Sequence, residues 1–177
     1  MKKIVLVCGL IAGLIVSSVM VIVVATGQHN NNGMLIGYAS MVMAFSLIFV
    51  GVKNYRDHYN GGSISFKKAF TIGLLITLVA ATCYVITWLV DYYFFIPDFA
   101  DKYAAVELEK LKATGATPQQ VATQKATLDR FTSMYKNPFF NALITYSEIV
   151  PVGLIISLIS ALVLKRKTVI LPVPATV

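Results

Sequence analysis

A lone acidic residue inside an apolar segment is the feature of this sequence with the clearest capacity for chemistry. Glu148 lies about nine residues into an apolar run that starts at Phe139, or about 14 Å along a helix. An ionised carboxylate at the centre of a bilayer costs at least about 2.5 kcal/mol, and no Lys or Arg lies within the long apolar segments to neutralise it. The carboxyl can therefore serve an ion or substrate path, or stay neutral and hydrogen-bond neighbouring helices.

Other residues extend this polar position. Asn141 and Thr145 precede Glu148 on the same helical face, so we expect Glu148 to point into the interior of a helix bundle. Pro151 removes a backbone donor one turn later and can kink the helix. Asp91 is the second acidic candidate, but it falls about 33 Å along its own helix, at the interface on the outer side of the membrane.

One face of the third apolar segment carries small or polar residues at helical spacing. They are Gly73, Thr77, Ala80, Tyr84, Thr87 and Asp91. Small residues let membrane helices approach closely, so packing alone explains the pattern. A polar path between helices, with Tyr84 along it, is the alternative interpretation, and the pattern alone does not choose between them.

A polar loop after the second apolar segment contains Arg56, Asp57 and His58. These side chains can bind an anionic headgroup or a partner, or act only as a topology anchor. Asp57 with His58 is too small a ligand set for a metal, and the chain has no Gly-rich phosphate loop and no Ser/His/Asp set. The sequence therefore predicts no catalytic residue, no cofactor and no metal site.

Composition indicates that these residues belong to a membrane protein. Of the 177 residues, 57% are hydrophobic and 13% are charged, too few to cover the surface of a soluble domain. Four apolar segments, at about 4–26, 34–52, 69–96 and 139–164, are long enough to span a bilayer core of about 30 Å. The net charge of +7 comes largely from basic residues beside these segments, which indicates topology and not nucleic-acid binding.

The first segment has a second interpretation as a secretory signal peptide, because Lys2 and Lys3 precede it. Its apolar stretch exceeds the usual length of about 7 to 15 residues and no clear cleavage site follows, so we expect a retained helix. Cys8 and Cys83 both lie in apolar runs, where they are expected to pack as small apolar side chains.

The distribution of Lys and Arg predicts that both termini are cytoplasmic. Nine basic residues lie near the N-terminus, in the loop after the second segment and in the C-terminal tail: Lys2, Lys3, Lys53, Arg56, Lys67, Lys68, Lys165, Arg166 and Lys167. The first loop has none, and the six basic residues of the long third loop are offset by five acidic ones. Cytoplasmic loops are enriched in Lys and Arg, so the dense clusters should lie on the cytoplasmic side of the membrane.

The third loop, at about 98–136, predicts an extracytoplasmic helical hairpin. Asp98 and Asp101 favour a helix start, and Gly115 can end that helix. The run Thr117–Gln120 has the pattern of a capping box, with proline at the first helical position, and so predicts a second helix.

Together these features predict an all-α integral membrane protein with a single domain. Residues 1–167 should form four transmembrane helices in a bundle, with the extracytoplasmic hairpin between the third and fourth transmembrane helices. Residues 168–177, which include two prolines, should form a disordered cytoplasmic tail.

Several motifs resemble those of a known family. In chain order they are N-Y-R-D-x-x-N-G-G-x-I-S-F at 54–66, K-A-F-x-I-G at 68–73, P-D-F at 97–99 and E-I-V-P-V-G-L at 148–154. Over nearly the whole chain this resembles the membrane family catalogued as domain of unknown function 4199, which is typical of Bacteroidota. The resemblance implies a four-helix inner-membrane protein with no established activity. Members are often encoded near a polyprenol-phosphate glycosyltransferase, which implies a place in envelope glycan or lipid metabolism.

The expected function is that of a non-enzymatic accessory or scaffold protein, which contacts a membrane protein partner or forms a homo-oligomer in the lipid bilayer. Four helices and a long outer loop offer contact surface, whereas no recognisable catalytic set is present. Two alternatives stay open. One is a small oligomeric transporter or ion-coupled permeation protein that uses Glu148, and the other is a membrane enzyme that acts on a lipid through Glu148 or Asp91.

Overall fold

Regular structure in the described part of the chain is helical. The computed structural model describes residues 1–26 and 31–165. Within the second range, side chains are described from residue 35 onward. The elements are α1 (Lys2–Ala25), α2 (Asn31–Tyr59), α3 (Phe66–Val90), a π-helical turn (Asp91–Phe95), α4 (Phe99–Ala113), α5 (Pro118–Tyr135) and α6 (Pro138–Leu164). Four helical stretches are long and apolar enough to cross a membrane: Lys2–Ala25, Leu35–Tyr59, Phe66–Phe95 and Pro138–Leu164. The predicted all-helical class with four candidate spans is confirmed.

The helix α2 extends further than its apolar segment predicts. The sequence predicts an end near residue 52, but the helix continues to Tyr59. Val52, Tyr55 and Arg56 are buried along this extension, so the chain gains packing by remaining helical. Basic residues in the last turn also suit the negative end of the helix dipole. The polar loop before α3 is correspondingly shorter than predicted.

Small residues bring α1 and α6 close to α3. A Cβ added to Gly9 would lie 2.6 Å from the Val79 Cβ, and Gly13 packs as closely one turn later. On α6, a Cβ added to Gly153 would lie 2.6 Å from Thr77 Oγ1. Between the long helices, the fully buried apolar side chains include Ala44, Phe45, Ile48, Ile72, Ile76, Ala80 and Ile149.

The four long helices alternate in direction, which gathers basic residues at one end. Gly51, near the end of α2, packs against Cys8 and Ile4 near the start of α1. Gly73, near the start of α3, packs against Ser157 near the end of α6. The residues Lys2, Lys3, Lys53, Arg56, Lys67, Lys68 and Lys165 therefore lie at one end, which we term the basic end. The opposite end carries α4 and α5 and is termed the α4–α5 end.

The two shorter helices begin and end at the predicted signals. Thr117 Oγ1 accepts from the Gln120 N–H at 3.3 Å, and Gln120 Oε1 accepts from the Thr117 N–H at 2.8 Å, which confirms the capping box. Gly115 adopts a φ of 78° just after α4. The helices α4 and α5 contact each other and share a groove lined by Asp101 and Thr132, among others.

Some predictions fall outside the described residues. The tail at 168–177 lies outside them, and so do Arg166 and Lys167. The same holds for residues 27–30, which include His29.

Candidate functional site

Glu148 lies at the rim of the helix assembly, beside polar side chains from two other helices. It follows the start of α6 by about ten residues, or about 15 Å. Its carboxyl is close enough to the hydroxyls of Tyr84 on α3 and Tyr135 on α5 to act on both electrostatically. The side chain is nevertheless exposed, and no hydrogen-bond or ion-pair partner for it occurs in residues 1–26 or 31–165. The expected inward orientation of Glu148 therefore holds only in part.

Four side chains form a hydrogen-bonded cluster between Glu148 and the α4–α5 end. Trp88 Nε1 donates to Tyr135 Oη at 2.9 Å and to Asn141 Oδ1 at 3.0 Å. Thr145 Oγ1 donates to the Asn141 carbonyl oxygen at 2.9 Å. Burial raises the pKa of Tyr135, so its hydroxyl remains protonated and able to donate. This group, termed the Trp88 cluster, ties α3, α5 and α6 together beside Glu148.

Buried polar atoms without partners concentrate in the same half of the molecule. Among the described residues they are Ser17 Oγ, Asp91 Oδ2, Tyr92 Oη, Thr132 Oγ1 and Asn141 Nδ2. All of them lie between the level of Glu148 and the α4–α5 end, and none lies toward the basic end. Buried polar groups in native proteins nearly always have partners, which can be ordered water. The region around Glu148 therefore has hydrogen-bonding capacity that the described side chains leave unused.

The polar stripe of α3 divides into a packed part and an open part. Thr77 Oγ1 lies 3.3 Å from Ser157 Oγ and donates to the Gly73 carbonyl, so packing explains the stripe there. Tyr84 is half-buried and lies near Glu148. Asp91 lies at the predicted outer end of its helix, but it is only 6% exposed and begins the π-helical turn. Such turns frequently occur at functional sites.

Pro151 changes the backbone beside Glu148 without ending the helix. The helix α6 runs through it from Pro138 to Leu164. Because proline has no N–H, the carbonyl of Ser147 lacks its usual donor one turn later. Pro151 therefore frees one backbone acceptor next to Glu148.

Arg56 and Asp57 lie at the basic end, away from Glu148. Arg56 Nε donates to Asp57 Oδ1 at 2.6 Å, and Nη2 donates to Oδ2 at 3.2 Å. Arg56 is only 8% exposed, so its guanidinium is already engaged within the protein. His58 Nδ1 lies 3.3 Å from the Asn54 carbonyl oxygen. The structure thus brings Tyr84 and Glu148 together but leaves Arg56 and Asp57 as a separate local pair.

Two further observations concern metal and thiol chemistry. Within residues 1–26 and 31–165, no group of three His, Cys, Asp or Glu residues is arranged to hold a metal ion. Cys8 and Cys83 are free thiols, each half-buried between helices. Both pack against glycines of neighbouring helices, as small apolar side chains do.

Sequence analysis did not single out Trp88, Tyr92 or Thr132. Trp88 is the only tryptophan in the chain and follows Thr87 of the polar stripe, which is the one signal available for it. Tyr92 and Thr132 depend on how α5 packs beside the end of α3, which no local pattern reveals.

Comparison with known proteins bears on the family of the chain. A family model described as Protein of unknown function (DUF4199) matches residues 8–166. The chain belongs to this family. The resemblance drawn from the motif at 54–66 and the motif that begins at Glu148 is thereby confirmed. No curated protein and no solved structure matches the chain.

Proposed function

We propose that this DUF4199 protein is an inner-membrane protein with four transmembrane helices in a bundle, both termini in the cytoplasm and the α4–α5 hairpin outside. It acts without catalysis, as an accessory or scaffold protein that contacts another membrane protein through the flank of α6 around Glu148. We further propose that this role belongs to envelope glycan or lipid metabolism, which the resemblance to the family supports.

The exposed position of Glu148 carries the proposal. If nothing covered this flank, the carboxyl would face acyl chains, where an ionised carboxylate costs about 2.5–3.5 kcal/mol and a neutral acid loses its hydrogen bonds. Tyr84 and Tyr135 lie on its protein side, and no described residue pairs with it on the other. Ile155, two turns along the same flank, is 59% exposed. A partner helix with one hydrogen-bond donor and an apolar surface would satisfy this flank.

The gathering of basic residues at one end supports the orientation, because such residues are retained in the cytoplasm. The test begins with a chain in which Cys8 and Cys83 are replaced by Ala, and adds Thr123→Cys in α5. An impermeant thiol reagent should label this chain in intact cells. Labelling only after lysis would reverse the orientation.

The partner role is tested by gentle purification of the protein from its native membranes. We expect one partner protein at constant stoichiometry. Glu148→Leu, which removes all hydrogen bonding, should release it, whereas Glu148→Gln and the exposed control Glu109→Gln should retain it. A chain that purifies only with copies of itself contradicts the accessory role.

A second function, a small oligomeric transporter or ion-coupled permeation protein, is favoured by the unpartnered polar atoms near Glu148. In this case the carboxyl must gain and lose a proton during each cycle. Glu148→Gln keeps the shape of the side chain but cannot titrate. Failure of this variant to complement a deletion strain supports the ion-coupled function, and full complementation excludes it.

A further inference from the structure

A groove at the α4–α5 end leads to a buried hydroxyl with no partner. The groove has a volume of about 470 Å³, and its polar lining consists of Asp101, Asp129, Thr132, Ser133 and Lys136. Lys136 Nζ lies 3.8 Å from Asp101 Oδ2 at its rim. Thr132 is 7% exposed, and its Oγ1 has no hydrogen-bond partner among the described residues. The floor of the groove therefore lies next to a polar atom that is itself closed to solvent, so water reaches it only when the chain around it moves.

Polar groups continue from this floor toward Glu148. Tyr92 is 2% exposed, and its unpartnered hydroxyl is close enough to Asp101 to interact electrostatically. Its ring meets the Tyr135 ring edge-on, with centroids 5.3 Å apart. Tyr135 then accepts from Trp88 Nε1 and interacts electrostatically with Glu148. Hydroxyl groups, which can pass a proton, thus lie at three positions between the groove and the carboxyl: Thr132, Tyr92 and Tyr135.

The opposite direction is packed with apolar side chains, and its described residues offer no comparable row of hydroxyls. Between Glu148 and the basic end, the fully buried residues include Phe45, Ile48, Ile72, Ile76, Ala80 and Ile149. The polar residues Thr77 and Ser157 in this half hydrogen-bond each other, and Gly153 presses directly against Thr77. No described side chain in this half has a buried polar atom without a partner.

We propose that the hydroxyls of Thr132, Tyr92 and Tyr135 form a proton path that leads from the groove to Glu148 and connects it with the extracytoplasmic side only. The unpartnered Thr132, Tyr92 and Asn141 atoms are closed to solvent, so water completes this path only when local motion admits it beside them. The path goes beyond the partner contact proposed above, because it makes the charge at that contact respond to the outer pH. It uses the proposed orientation, which the Thr123→Cys labelling tests separately.

The titratable groups around Glu148 are phenols. Tyr84 faces it from α3 and Tyr135 from α5, while Tyr38 of α2 interacts with Tyr84. Within the described ranges no Lys, Arg or His pairs with the carboxyl. A proton is therefore the cation that neutralises it within this chain.

The test measures how a hydrophobic carbodiimide labels the protein in sealed vesicles of known orientation. This reagent attacks the protonated carboxyl. The acid proton moves to one carbodiimide nitrogen, the carboxyl oxygen bonds to the central carbon, and the acyl group then migrates to nitrogen as a stable N-acylurea. Mass spectrometry of the peptide that contains Glu148 quantifies the product, and Glu148→Gln gives the background.

The outer and inner pH are varied independently from about pH 5 to about pH 10, which brackets the range of carboxyl groups in proteins. We expect labelling to fall as the outer pH rises, by about tenfold per unit above the pKa of Glu148, and to ignore the inner pH. Labelling that follows the inner pH, or that ignores the outer pH over this range, overturns the path.

The path residues are tested with conservative variants. The pair Thr132→Val and Tyr135→Phe should abolish the fast response of labelling to a jump in outer pH. Ser133→Ala, which changes a groove residue outside the path, should retain it. Helical content, measured by circular dichroism, checks that each variant is folded before labelling. A folded double variant with an unchanged response excludes these hydroxyls as the route.

Discussion

Substitution of Gly153 by alanine tests the packing of α6 on α3, which positions Glu148. The added Cβ would lie 2.6 Å from Thr77 Oγ1, 2.9 Å from Thr77 Cβ and closer still to Cγ2. Thr77 is fully buried and β-branched, and no rotation about χ1 moves its Cβ, so turning the side chain cannot relieve all of the contacts. The two helices must therefore separate.

The expected cost follows from two opposing effects. Overpacking of a core typically costs about 1–3 kcal/mol, and three close contacts with one stiff side chain favour the upper part of that range. Alanine regains about 1 kcal/mol of helix propensity over glycine. We expect Gly153→Ala to lower the free energy of unfolding by about 2 kcal/mol. Gly37 is the matched control, because a Cβ there meets nothing within 4 Å, and Gly37→Ala should be neutral or stabilising.

The assay is unfolding in detergent, followed by the reactivity of the half-buried thiols Cys8 and Cys83. Thr77→Ala removes two of the three contacting atoms, so it should recover part of the loss in the Gly153→Ala background. Equal stability of Gly153→Ala and Gly37→Ala would show that α6 does not pack on α3 as described.

Three further predictions concern the α4–α5 end. Thr117→Ala should destabilise the start of α5 by about 0.5–2 kcal/mol, seen as faster amide hydrogen exchange in its first turn and unchanged exchange in α1. Tyr135→Phe should cost about 0.5–1.5 kcal/mol, because Trp88 Nε1 loses one acceptor, and should shift the Trp88 emission; an unshifted spectrum would argue against this hydrogen bond. The hydrogen bond from Lys102 lowers the pKa of Asp98, so this pair stabilises α4 above the unfolded pKa of Asp98 and loses its effect as pH falls through the lower folded value. Hydrogen exchange in α4, corrected for intrinsic rates, should therefore increase on acidification, and Asp98→Asn should remove that increase.

Local signals predict the helices of this protein well. The four candidate spans follow from long apolar runs, which a bilayer requires, and the start of α5 follows from Thr117 and Gln120, which bond within one turn. The end of α2 is less predictable, because its last two turns are polar in composition and are held helical by the burial of Tyr55 and Arg56. Burial of that kind depends on neighbouring helices, and the helical spacing of Val52, Tyr55 and Tyr59 is the one local signal of it.

The candidate site is only partly predictable for the same reason. Glu148 stands out because a charge in an apolar run is costly, whatever the surroundings. Trp88 and Tyr135 are 47 residues apart in sequence, and their hydrogen bond exists only because the end of α5 packs beside α3. Whether Glu148 is exposed likewise depends on which helices lie beside it in the fold. The presence of Asn141 and Thr145 on the same face of α6 therefore does not predict its exposure.

The proposed contact at the α6 flank has one most direct test. Ile155, which is exposed on the flank of Glu148, is replaced by a photoreactive amino acid, and Leu143, which is 51% exposed but turned away from that flank, serves as the control. Illumination of living cells should cross-link the position-155 variant to a single partner protein, and Glu148→Leu in the same chain should abolish the product. Equal cross-linking from positions 143 and 155, or products that contain only copies of this chain, would contradict the proposed contact.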